Sequence, residues 1–331
     1  MCVDPETRAT PAWGSLPVEQ YLIVSKPPFP LSMNEPYKPP RLTSFLQRNW
    51  DPSSPLSYPD QTRQLVRAFL ALDNWPQEWD AVRDVRDSHA PMTRIPTDHE
   101  IGTILAPWRP IRWRNAATQL WANRQEHAVW LRTHYGEGSD AQFRAWRDHD
   151  EDFNGNFEEA ERAWLVLDDP VVFNVGDEWR RALDVVPELV RPGDDAEPAA
   201  SAARERLRER IRARVAAGED VEDVAVWEAE YGEHGGKLQY YKVSSYLLVA
   251  DARAWETQCL RMLLLDEKGN IVRHTEMEAE DMWESSAFWF EWRFERMWWW
   301  KWDMEGAPAP KLGDAYRARG EVGRVLYGLD L

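Results

Sequence analysis

Oxygen-bearing side chains recur at nearly every second position across residues 150–161, DEDFNGNFEEAE, a spacing suited to caging a hard dication. An ion such as Ca²⁺ takes roughly six to eight oxygens at short range, so its donors must come from several points of a tightly turned segment. Asp150, Asp152, Asn154, Asn156, Glu158 and Glu161 would supply them. Gly155 stands in the middle, where a sharp turn leaves no room for a Cβ.

These twelve residues resemble an EF-hand loop, which takes ligands at positions 1, 3, 5, 7, 9 and 12 and a glycine at position 6. The resemblance implies that Asp150, Asp152 and Asn154 ligate through side chains and Asn156 through its carbonyl. Glu158 would ligate directly or through water, and Glu161 with both carboxylate oxygens, making Ca²⁺ the one implied cofactor. His149 and Arg162 depart from the apolar residues usual on either side of such a loop, and no second loop has this spacing, so weak binding is expected. The competing reading is an acidic turn, since Asp, Asn and Gly are the ordinary turn formers.

The elements that would hold this loop read as helices. Ser139 and Gln142 form a capping box ahead of Phe143 and Trp146, and residues 158–167 continue as an exiting helix stopped by Asp168, Asp169 and Pro170. Upstream, Asp60 caps a helix bearing Leu65, Val66, Phe69 and Leu70, and Pro76 opens another with Trp79, Val82 and Val85. A long helix is expected over 115–135, stopped by Gly136, with His127 and His134 about 10 Å apart along its axis, too far to share a metal. In the loop that leads to this helix, Trp108, Arg109, Arg112, Trp113 and Arg114 form a combination that stacks on bases or packs within one protein. The acidic surroundings favour internal packing.

Residues 191–201, RPGDDAEPAAS, read as a linker. Residues 201–217 then carry six arginines against Glu205 and Glu209, a local charge of +4, and residues 218–234 carry seven acids with no Lys or Arg, a charge of −7. Such adjacent blocks neutralise each other in part. Leu207, Ile211 and Val215 give the arginine helix a narrow apolar seam, and Arg204, Arg208 and Arg212 are its candidate interaction residues.

Toward the carboxyl end, residues 240–250 read as a strand, and 263–265, DEKGN and 271–272 as a hairpin with Gly269 at its turn. Residues 283–302 hold seven tryptophans and three phenylalanines, alternating with charge in the first half as a strand does. Trp298, Trp299, Trp300 and Trp302 are candidates for an exposed contact surface, because three consecutive rings cannot all face one side.

Composition narrows the function classes. A net charge of −17 opposes nucleic acid and anionic lipid, and no stretch is long and apolar enough to span a membrane. Cys2 and Cys259 make no disulfide framework, and the amino terminus has no secretory pattern, so a cytoplasmic or nuclear location is expected. Neither GxSxG, GxGxxG nor HExxH occurs. Twelve of the 23 prolines precede residue 60, which marks residues 1–59 as an extended arm. A helical domain over 60–190 and a charged helix with an aromatic-rich region over 202–331 complete the expected organisation. The expected fold is mainly α with a small antiparallel β element near the carboxyl terminus. The expected function is a non-enzymatic interaction or structural protein that contacts a protein partner or itself. The alternatives are a Ca²⁺-responsive module and an enzyme with a Trp-lined, carbohydrate-directed pocket.

Overall fold

The computed structural model describes residues 45–46, 49–51, 53–72, 97, 99, 103, 109–113, 116–117, 129–153, 165–190, 196–230, 233–243, 245–266, 268–278 and 311–314, with backbone alone at 149–153, 196–200 and some positions of 222–240. The chain divides into two compact units, residues 1–124 with 182–189, and residues 125–181 with 190–331.

In the first unit, α1 (Tyr58–Leu70) begins one turn earlier than its sequence signal suggests. Ser57 is the cap: its Oγ accepts from the Asp60 N–H and donates to the Asp60 carboxylate at 2.6 Å. Val66 and Phe69 turn inward, and Phe69 meets Phe45 at 5.6 Å between ring centroids. Of the Trp–Arg segment, Arg109 and Trp113 are buried within the protein. Arg109 is 3% exposed and holds Glu188 through both terminal nitrogens at 2.8 and 3.1 Å. Arg112 lies over the buried Trp113 ring at 4.5 Å.

The second unit is built on a six-stranded mixed sheet, and this overturns the expected fold class. Its strands are β1 (Val129–Arg132), β2 (Leu165–Leu167), β3 (Ser245–Ala250), β4 (Cys259–Leu265), β5 (Ile271–Glu278) and β6 (Lys311–Leu312), in spatial order β2-β1-β3-β4-β5-β6. β1 runs parallel to both β2 and β3, while β3 to β6 form an antiparallel meander. The sheet therefore extends far beyond a small carboxyl-terminal element and joins strands from both sides of residues 191–201.

Two predicted helices are corrected in consequence. The helix expected over 115–135 is strand at 129–132, so His134 follows β1 in an irregular segment and the helical spacing from His127 does not apply; His127 itself lies outside the described residues. The helix expected over 158–167 is strand in its last three residues. Both are short apolar runs, VWLR and LVL, whose periodicity cannot separate a buried strand from a buried helix. Residues 240–242 end a helix, and only 245–250 form the strand. All six residues of β3 are buried, as the interior of a sheet covered on both faces requires.

The helices are α2 (Ser139–Phe153), the single-turn α3 (Pro170–Phe173), α4 (Ala196–Ala216), α5 (Val221–Glu230), α6 (Glu233–Lys242) and α7 (Ala252–Thr257). Trp130, Leu248, Leu260, Met262 and Leu264 of the sheet pack with Phe143 and Trp146 of α2 and Ala254 of α7. A second cluster joins Ala203, Leu207 and Ile211 of α4 to Val224 of α5, Leu238 of α6, Val272 of β5 and Leu312 of β6. The expected β4–β5 hairpin is present. Gly269 takes a φ of 75°, and Asp266 Oδ1 accepts from the N–H groups of Lys268 and Asn270. Among the described residues, no helix is long and apolar enough to cross a membrane.

Candidate functional site

α4 presents an inner and an outer side for a simple reason of spacing. Ala203, Leu207 and Ile211, each four residues apart, form the buried stripe, and the arginines between them are carried outward or sideways. Arg210 and Arg214 reach α5. Arg210 Nε donates to Glu228 Oε1 at 2.8 Å, and Arg214 Nη1 donates to the same oxygen at 3.2 Å. Glu228 is 1% exposed, so two cations offset the cost of burying its carboxylate. Arg214 Nε also donates to Glu219 at 3.1 Å, which holds that exposed carboxyl below its usual range and raises the guanidinium. The expected neutralisation between the two charge blocks is thus a set of direct bonds.

Of the predicted arginines, Arg204 is half-buried, Arg208 pairs with Glu205 at 3.1 Å, and Arg212 reaches the same carboxylate at only 3.8 Å while staying 72% exposed. Arg206, a position sequence reasoning did not single out, is exposed as well. Trp227 was also missed. It stands on the outer side of α5, 47% exposed, with the Arg214 guanidinium carbon 5.0 Å from its ring centroid. Val215 and Val221, on either side of the α4–α5 turn, are 36% and 37% exposed. A large exposed aromatic beside an arginine is the pairing that anchors protein contacts.

The other predicted site residues are not brought to this surface. Trp298, Trp299, Trp300 and Trp302 lie outside the described residues, as do Asn154, Asn156, Glu158 and Glu161. Asp150 and Asp152 lie in α2, whose helical backbone runs through Phe153. Among the described residues, no three His, Cys, Asp or Glu side chains come together as a metal site. The Gly235-Gly236-Lys237 run, reminiscent of a phosphate loop, is helical.

A second polar cluster lies at the carboxyl ends of the parallel strands. β1 sits between β2 and β3, so the chain leaves it first to one side and then to the other, the arrangement that opens crevices in α/β sheets. Here the edge is closed by Arg132. Its guanidinium donates to Ser139 Oγ at 2.7 Å, to the His134 carbonyl at 3.1 Å and to Asp140, and lies 3.6 Å from Asp168. Tyr135 and Phe143 place their ring centroids 4.4 and 5.2 Å from it. Hydrogen bonding to Arg132 holds the Asp140 carboxyl below its usual range. Burial, and then the charge of Asp168, raises the Tyr135 phenol. Arg132 spends its donors on its own chain, which pins β1 to α2 and to the segment after β2.

No protein-family model, curated protein or solved structure matches the chain.

Proposed function

We propose that the protein is a non-enzymatic interaction protein whose contact surface is the outer side of α4 and α5. One observation carries the reading: Trp227 keeps nearly half its surface in water although it stands on a helix whose Val224 is packed into the core. An exposed Trp costs hydration free energy that a partner recovers by covering it. Val215 and Val221, on either side of the α4–α5 turn, are exposed as well, as are Arg206 and Arg212 of α4. The Arg132 cluster supports this reading indirectly, because its hydrogen bonds are closed within the chain.

Site-directed photo-crosslinking in cell extract tests it. A benzophenone side chain at Val221 should give a discrete protein adduct, while the same group at Val171, which is 92% exposed on α3, should not. No adduct from Val221, or the same adducts from both positions, would remove α4 and α5 as a specific contact surface.

A further inference from the structure

We draw no further inference here: the strongest candidate, the exposed Trp227 with Val215 and Val221 on the outer side of α4 and α5, belongs to the contact surface already proposed, and nothing in the structure shows what covers it.

Discussion

Arg210 and Glu228 meet across two helices, with Nε 2.8 Å from Oε1, and they are buried very unequally: the Arg210 side chain is 54% exposed and that of Glu228 1%. Water can therefore stabilise the cation when the pair is broken, but it cannot reach the anion. Removing the carboxylate with Glu228→Gln should cost about 1 kcal/mol, the net worth of the lost hydrogen bonds. Removing both cations with Arg210→Ala and Arg214→Ala should cost about 3 to 5 kcal/mol, because a charge is then buried without a partner. Either arginine variant alone should cost well under half of that, since the other still reaches Glu228. Urea unfolding of the four variants and the native chain measures the set, and additive losses from the two arginine variants would contradict the shared-acceptor geometry.

Tyr135 makes stability depend on pH on the alkaline side. Its hydroxyl donates to the Arg132 carbonyl at 3.1 Å and accepts from the Asp169 N–H at 2.8 Å. Burial raises the phenol's folded-state pKa above its ordinary value of 10.0. The unfolded chain thus gives up this proton first. The stability contribution is fully present below pH 10 and is lost as pH rises from there toward the folded value. Tyr135→Phe should lower stability at neutral pH by about 1 kcal/mol through its lost hydrogen bonds. It should also flatten the decline above pH 10 relative to the native chain. Parallel slopes for the two chains would show that Tyr135 does not titrate in this way.

Asp140 gives the opposite sign. Its hydrogen bond to Arg132 lowers its folded-state pKa below its ordinary value of 3.8. Its contribution is present above that value and is lost as pH falls through the lower folded one. Asp140→Asn should therefore make acid unfolding less steep below pH 4, by a small amount because this carboxylate faces solvent. An unchanged acid limb would remove Asp140 from the network.

What the sequence revealed follows the range of the forces involved. The β4–β5 turn was legible because its chemistry is local: Asp266 collects the turn's N–H groups and Gly269 adopts the positive φ. The arginine block's neutralisation was legible because its partners are adjacent in the chain. β1 was not legible. Val129 pairs with Leu165 on one side and Leu247 on the other, and those distant partners, rather than its own four residues, make it a strand. Trp227 was missed for a related reason. Its exposure depends on α5 turning Val224 and Glu228 inward, a choice made by packing against α4. The Arg132 network was hidden because residues 132, 140 and 168 meet only when β1, α2 and β2 are assembled.

Gly313 shows a close approach that a single methyl group would disrupt. A Cβ at this position would stand 1.9 Å from the Ile271 carbonyl oxygen, and the Gly313 N–H donates to the Val272 carbonyl at 2.9 Å. The obstacle is backbone, so no rotamer change relieves it. Gly313→Ala should cost about 1 to 3 kcal/mol, the range of other overpacking substitutions. It should also speed amide exchange at Gly313, measured by hydrogen exchange. Unchanged protection there would mean that β6 shifts without losing its bond.

The first four residues of the 150–161 motif have a described backbone, and it is helical. α2 is helical through Phe153, so its backbone sets positions 150 and 152 about 200° apart around the axis. Ca²⁺ bound through the oxygen pattern of an EF-hand must therefore unwind the last turn of α2, and the unwinding subtracts from its affinity. At a Ca²⁺ concentration about ten times the dissociation constant, mass action stabilises the bound form by about 1.4 kcal/mol, or about 3 °C in the unfolding midpoint. The expected result is a rise of that size in millimolar Ca²⁺ over chelator, with a small loss of helical circular dichroism and no response in Asp150→Asn with Glu161→Gln. Equal midpoints in Ca²⁺ and chelator would reduce the segment to an acidic turn, in which Asp, Asn and Gly serve only as turn formers.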